Sequence, residues 1–164
     1  MRERFSIRLI SLNEIPEVTN WARLEGFSPG MDDVSIYRNT DKQGVWVACL
    51  DNNPIGSIAC IKYNSSYGFI GLFIVKKEFR NNGYGVRLWK HALEYLKNVD
   101  CIGLEAAPDR LNDYEKWGFR KSSITTRWEL NGSQDMPLKN FYTDEFHSFK
   151  VVPGNEISLS LIHI

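Results

Sequence analysis

The stretch Ile70-Gly-Leu-Phe-Ile-Val75-Lys-Lys-Glu-Phe-Arg80-Asn-Asn-Gly-Tyr-Gly85 constrains this chain more than any other. Ile70 to Val75 is a short apolar run rich in β-branched residues, and it predicts a buried strand. Lys76 to Phe79 is a polar break. Arg80, Gly83 and Gly85 follow as an R-x-x-G-x-G turn. Val86, Trp89, Ala92, Leu93 and Leu96 then recur at helical spacing, with Arg87, Lys90, Glu94 and Lys97 between them. The unit is therefore a strand, a glycine-rich turn and a helix.

The same order has a chemical use. The first turn of a helix carries N–H groups without intrahelical partners and a partial positive charge. Gly83 and Gly85 remove side chains that would block a ligand and permit positive φ. The turn therefore reads as an anion cradle suited to a pyrophosphate, with Arg80 at its edge, or as a plain strand-to-helix connection without a ligand. A P-loop is excluded, because no Lys-Ser or Lys-Thr pair follows either glycine. A dinucleotide fingerprint needs a third glycine where this chain has Leu88.

With 164 residues, 43% hydrophobic, the chain is long enough for one domain with its own core. Twenty basic and twenty acidic residues leave no formal charge, so nothing points to a nucleic acid or a membrane as partner. The N-terminal residues contain no apolar signal-peptide core, and no apolar run reaches spanning length. A cytoplasmic protein is expected. Cys49, Cys60 and Cys101 lie in strand-like apolar runs without a C-x-x-C pair, and are expected to be small buried hydrophobes in a reducing compartment. A nucleophile built from Cys101 and His91 has no motif behind it. His91 is expected on the solvated side of its helix, and no metal site is suggested by the scattered histidines.

In chain order, Phe5, Ile7 and Leu9 predict a first strand. Asn13 is the expected cap of a helix carrying Ile15, Val18, Trp21 and Ala22, ended by Gly26. Met31 to Arg38 reads as a second helix, with Asp32 or Asp33 near its start. Strands are expected over Gly44 to Leu50, Ile55 to Tyr63 and Tyr67 to Val75, with turns at Asp51 to Pro54 and Asn64 to Ser66. In the second of these strands Ile58 and Cys60 should face one way, and Ala59 and Ile61 the other. Cys101 to Ala106 predicts a strand parallel to the Tyr67–Val75 strand. A short helix over Asp109 to Trp117, stopped by Gly118, leads to one or two last strands between Phe119 and Leu130.

This succession and two motifs resemble the GNAT superfamily of N-acetyltransferases. The first motif is Arg80-x-x-Gly83-x-Gly85 after a central strand. The second, Asn112-Asp-Tyr114-Glu-Lys-Trp-Gly118-Phe119, is similar to the family's L-Y-E-K-x-G-F segment. The resemblance runs from about Ile7 to Leu130. It implies an α/β (α+β) fold with a mixed, mostly antiparallel twisted sheet, whose fourth and fifth strands are parallel and splayed, flanked by helices.

The resemblance also implies a reaction. Acetyl-CoA is the cosubstrate, without a metal, and the acceptor is a small-molecule or peptide amine. Phe73, Ile74 and Val75 would pair by backbone with pantetheine, and a backbone N–H near Val75 would polarise the thioester. Arg80, Asn81, Asn82, Gly83, Tyr84 and Gly85 would hold the pyrophosphate. Tyr114 matches the family tyrosine that protonates the departing sulfur. Glu105 is the best-placed carboxylate for the general base, or else a structural acid. Asn81 departs from the family's usual glycine, but asparagine tolerates left-handed backbone geometry. Ala107 and Pro108 stand where many members have asparagine. Trp21 and Asp33 lie in the region that builds the acceptor side. The alternative is a non-catalytic acyl-CoA-binding sensor or regulatory domain.

The reading divides the chain into a domain over 1–131 and a tail over 132–164. Glu25-Gly-Phe-Ser-Pro-Gly30, Pro54-Ile-Gly-Ser57, Gly68-Phe-Ile-Gly-Leu72 and Leu104-Glu105 resemble a bacterial two-domain branch of the family. Ser133 to Phe149 resembles the start of that second domain. Leu159-Ser-Leu-Ile-His-Ile164 is what the end of a transposon used for sequencing libraries encodes. The expectation is a gene fragment with foreign sequence at 159–164; the alternative is an ordinary short apolar strand, with which the alternation of Leu159, Leu161 and His163 also agrees.

Overall fold

The β-branched and aromatic runs form five strands: β1 (Phe5–Leu9), β2 (Val45–Leu50), β3 (Asn53–Lys62), β4 (Tyr67–Val75) and β5 (Cys101–Leu104). They make one sheet in the order β1-β2-β3-β4-β5. Neighbours are antiparallel from β1 to β4, and β5 runs parallel to β4. In this computed structural model the description covers residues 4–30 and 32–126. The chain divides into two units, residues 1–120 and 121–164, and the account below concerns the first.

The alternation of side chains in β3 sorts two cores, as the pattern predicts. Ala59 and Ile61 face a cluster with Val18, Trp21 and Ala22 of α1 (Ile15–Leu24) and Val34 of α2 (Asp33–Thr40). Ile58 and Cys60 face a cluster with Leu88, Trp89, Ala92 and Leu96 from α3 (Tyr84–Tyr95) and its cap. The central strands are covered on both faces, which is why they read as continuous apolar runs.

Several expectations need correction. Asn13 is not the cap of α1: Glu14 stands at its N-cap, at the end of a 3-10 turn that Ser11 caps. Ser11 opens a 3-10 turn over Leu12–Glu14 and forms a capping box with Glu14. Asn13 has Pro16 three residues on, which has no N–H to offer a cap. Glu14 is held further by Arg8, through bonds of 2.6 and 2.8 Å. In α3, Val86 is 48% exposed, and Leu88 takes its expected place in the core one turn before Ala92. Cys101 is exposed at the start of β5, whereas Cys49 and Cys60 are buried. The second helix runs on to Thr40, two residues beyond Arg38; Asp32 and Asp33 stand at its start as expected, and Met31 lies outside the described residues. β5 ends at Leu104, two residues short of Ala106, because its pairing with β4 ends there. No strand forms over 119–126. The segment Lys121-Ser-Ser-Ile-Thr-Thr126 has one apolar side chain, Ile124, 77% exposed, and so no apolar face to bury. Residues 127–130, and the tail discussed above, lie outside the described residues.

The irregularity that matters most was not foreseen. Pairing between β3 and β4 slips between Ser57 and Ala59, opposite Ile74 and Gly71. At that bulge Leu72 adopts φ 49°, a conformation that a branched side chain rarely takes. The buried Ser57 hydroxyl donates to the Leu72 carbonyl at 3.0 Å. The bulge reverses the phase of the strand. Ile70 belongs to the α3-side cluster, but Leu72 and Ile74 belong to the α1–α2 side. Likewise Phe69 stacks on Tyr37 of α2, while Phe73, four residues later, meets Trp89 of α3.

Ser57→Ala is expected to lower stability by about 1–3 kcal/mol, because the Leu72 carbonyl would lose its buried donor. Urea unfolding measures this loss. An unchanged midpoint would mean that the bulge is held by backbone pairing alone.

Candidate active site

Two devices meet at the C-terminal end of β4. The first is a wedge in the sheet. β4 and β5 pair from Tyr67–Cys101 to Ile70–Leu104 and no further, while β4 continues to Val75. Gly71 to Val75 therefore have no β5 partner on that edge. The bulge at Leu72 re-aims this unpaired stretch, and Phe73, Ile74 and Val75 lie within it.

The second device is the turn. Lys77–Phe79 forms a 3-10 turn, and Arg80 to Gly83 leads into α3. Asn81 has φ 64° and Gly83 has φ 79°. The left-handed geometry expected of Asn81 is present. Gly83 caps α3 in that conformation, whereas Gly85 is helical and needs no positive φ. A Cβ at Gly83 would meet nothing within 4 Å, so this face of the turn is open. The first helical bond of α3 runs from the Arg87 N–H to the Gly83 carbonyl, at 3.2 Å. The preceding N–H groups of Gly83, Tyr84, Gly85 and Val86 belong to the first turn, where a helix supplies no acceptor. Asn82 folds its amide back onto the Arg80 carbonyl at 3.0 Å, which steadies the turn from within.

Arg80 is not the free charge at the rim that the sequence suggested. Its Nε donates to the Val75 carbonyl at 2.7 Å, and its terminal nitrogen to Glu25 at 2.6 Å. Arg80 thus ties the end of β4, the turn and the end of α1 together. Gly26, at φ 77°, ends α1 just after Glu25.

The two acid–base candidates are brought to this wedge from opposite faces of the sheet. A 3-10 turn over Pro108–Arg110 leads into α4 (Leu111–Lys116), which carries Tyr114. The Tyr114 ring lies 5.5 Å from Trp89, which lies 5.4 Å from Phe73. Burial raises its phenol pKa above the ordinary 10.0, so the hydroxyl keeps its proton throughout the neutral range. Gly118, at φ 88°, stops the helix as expected. Glu105 is exposed and follows the last paired residue of β5. Its charge acts on the other face, on Tyr37 of α2. The Tyr37 phenol is raised mainly by burial, then by the neighbouring Tyr63, Asp33 and Glu105.

Tyr37 was missed by the sequence reading. A methyl group at Gly71 would sit 3.6 Å from its hydroxyl, which places Tyr37 over β4 one residue before the bulge. No local motif marks it, since its partner Phe69 is distant in sequence. Of the two acceptor-side residues noted earlier, Trp21 is a core residue with the Lys76 ammonium 4.7 Å over its ring. Asp33 accepts a bond from the Gly30 N–H at 2.9 Å. His91 is not solvated as expected. It is half-buried edge-on to Trp46, at 4.2 Å, and burial lowers its pKa. Among the described residues no group of three or more His, Cys, Asp or Glu is arranged to hold a metal ion. Among them, too, no helix is long and apolar enough to cross a membrane.

Comparison with known proteins gives this geometry a lineage. The profile of the family described as "Acetyltransferase (GNAT) family" matches residues 12–119. The holothin acyltransferase of Pseudoalteromonas sp. is 29% identical over 117 residues, 71% of this chain and 40% of that protein. An uncharacterized N-acetyltransferase of Archaeoglobus fulgidus is 34% identical over 99 residues, 57% of this chain and 67% of that protein. The chain thus spans less than half of the first relative and two thirds of the second. Among solved structures, N-acetylglutamate synthase from Neisseria gonorrhoeae, complexed with coenzyme A and L-arginine, shares the fold with a TM-score of 0.61. It is 18% identical, and the match covers 74% of this chain and 28% of that one.

The geometry of the turn makes its own prediction. Asn81→Val is expected to cost about 1–2 kcal/mol, because a β-branched residue at φ 64° is strained. Asn81→Gly should be neutral or slightly stabilising. Thermal melts of both variants check the sign, and equal melting points would show that the turn relaxes out of the left-handed region.

Proposed function

Because this chain belongs to the GNAT family of acetyltransferases, we propose that it transfers an acetyl group from acetyl-CoA to a primary amine. The observation that carries this reading is the conjunction of wedge and turn. An unpaired strand edge, Gly71 to Val75, leads directly to an open helix N-terminus capped by a left-handed glycine.

Each part suits one portion of the cosubstrate. The first-turn N–H groups of Gly83, Tyr84 and Gly85, with the backbone of Arg80, Asn81 and Asn82, would hold the pyrophosphate. The edge of Phe73, Ile74 and Val75 would pair with the amide groups of pantetheine as an added strand does. A backbone N–H near Val75 would polarise the thioester carbonyl, where negative charge develops during attack. An alkylamine, with an ordinary pKa of about 10.4, must lose a proton before it attacks. Glu105 accepts that proton from the α2 side of the wedge, directly or through water. The new C–N bond forms as the C–S bond breaks, and the nitrogen sheds its second proton to solvent as the amide forms. Tyr114, on the α3 side, gives its proton to the departing sulfur and later regains one from solvent. Placement of acid and base on opposite faces suits a thioester threaded between β4 and β5, since nucleophile and leaving group need separate access.

Release of coenzyme A from acetyl-CoA, measured with a panel of primary amines, tests the reading. Amine-dependent release is expected. Absence of acetyl-CoA binding would overturn it, and binding without turnover across the panel would favour the non-catalytic acyl-CoA-binding alternative.

Tyr114→Phe should lower turnover by about 10²–10⁴-fold, the usual range for a positioned proton donor. Acetyl-CoA affinity should stay within about twofold, because the ring packed on Trp89 is kept. Since the folded phenol titrates above 10.0, the alkaline fall of the wild-type rate should lie above that pH. Wild-type turnover in this variant would reduce Tyr114 to packing.

Glu105→Gln should shift the rising limb of the pH–rate profile to higher pH, toward the pKa of the free amine. An unaltered profile would assign the base to water or another group.

A further inference from the structure

A second feature lies outside the residues used so far. An open groove of about 400 Å³ runs between β1 and the outer side of α3. Phe5, Ser6 and Ile7 form one wall, and Arg87, Lys90 and His91 the other. No lining residue is acidic. Arg87 and Lys90 are exposed and make no ion pair among the described residues, where Lys97 takes the Glu94 carboxylate of the same helix at 2.6 Å. The Arg87 guanidinium lies 3.8 Å over the Phe5 ring, and Phe5 stacks on Tyr84 at 5.3 Å with the planes 6° apart. That stack holds the planar cation in place and leaves its edge available to an anion. Burial keeps His91 neutral, and its Nε2 is shut off from solvent without a partner, so the charge of the groove comes from Arg87 and Lys90.

Position sharpens the chemistry. Tyr84 is the first residue of α3 and part of the anion turn, and its ring carries Phe5, which carries Arg87. The groove therefore begins where the turn ends. Two cations without an ion pair among the described residues, one presenting a fork of donors, match the charge and oxygen geometry of a phosphate monoester dianion better than a single carboxylate.

We propose that the groove of Arg87 and Lys90 binds a phosphate monoester. The group has two possible sources, the 3′-phosphate of the same coenzyme A whose pyrophosphate the turn holds, or a separate phosphorylated ligand. The first source rests on the acetyl-CoA reading above, and the second does not.

Calorimetric titration of the full chain with coenzyme A, 3′-dephospho-coenzyme A and inorganic phosphate separates the cases. The comparison protein is the Arg87→Gln, Lys90→Gln double variant, with melting curves to verify folding. For the first source, coenzyme A should bind about tenfold or more tightly than the dephospho form, and the double variant should erase that ratio. Affinity for the dephospho form should not change. For the second source, the wild type should fill one more inorganic-phosphate site than the double variant, any phosphate held at the head of α3 being common to both, while the ratio is unaffected by the substitutions. If the variant alters neither the ratio nor phosphate binding, the proposal is overturned. Failure of both coenzyme forms to bind would count against the acetyl-CoA reading alone, since the phosphate arm still tests the groove. If the double variant does not fold, Lys90→Gln alone, at an exposed position, is titrated in its place, with a smaller loss of the same ratio or of phosphate binding expected.

Discussion

The hydrogen bond from the buried Ser57 hydroxyl to the Leu72 carbonyl holds β4 in a conformation that its own residues would not choose. A leucine at positive φ is strained, and strain of this kind persists only where surrounding structure over-determines it. The hydroxyl supplies a donor in the interior, where an unpaired carbonyl would be costly. Upstream of the bulge β4 pairs with β5. Downstream it keeps its pairing with β3 but has no β5 partner as far as Val75, and its side chains are exchanged between the two faces of the sheet. The wedge, the edge it exposes and the aim of that edge all follow from the one extra residue.

The two faces of the sheet then take different work. On the α3 side, Phe73, Trp89 and Tyr114 form a chain of aromatic contacts from the bulge to α4. This chain packs the Tyr114 ring against an aromatic wall, and the partial burial raises the phenol pKa, which keeps its proton in place at neutral pH. On the α1–α2 side, Phe69 and Tyr37 cover the strand before the bulge, and the charge of Glu105 is felt there. Arg80 closes the arrangement by binding the Val75 carbonyl and Glu25, which ties the turn, the strand end and the end of α1 to one side chain. A paired arginine at this position supports geometry first, and its charge is shared with a carboxylate.

Much of the fold was legible because it is written in local periodicity. The alternation in β3 assigned Ile58 and Cys60 to one core and Ala59 and Ile61 to the other, and the structure agrees. The turn chemistry of Asn81, Gly83 and Gly118 was legible because left-handed backbone selects residue types directly. The differences fall at element ends, on side chains whose partners are distant in sequence, and on the strand expected after Phe119, which does not form over 119–126. Asn13 looked like a cap until the reciprocal pair of Ser11 and Glu14 was seen. His91 looked solvated because Lys90 beside it is, yet Trp46 reaches across from β2 to cover it.

The sequence by itself determined the order of the elements, the two-faced burial of the central strands and the glycine-rich turn at the head of α3. Each depends on residues a few positions apart, whose spacing can be read along the chain. Tertiary structure alone decided the bulge at Leu72, the pairing of Arg80 with Glu25, the approach of Tyr37 to Gly71 and the basic groove between β1 and α3. Each of these joins residues far apart in sequence, so it depends on strand register and on which helix covers which face. No local pattern encodes those long-range choices, because they are settled only when the whole sheet is assembled and its buried polar groups must find partners.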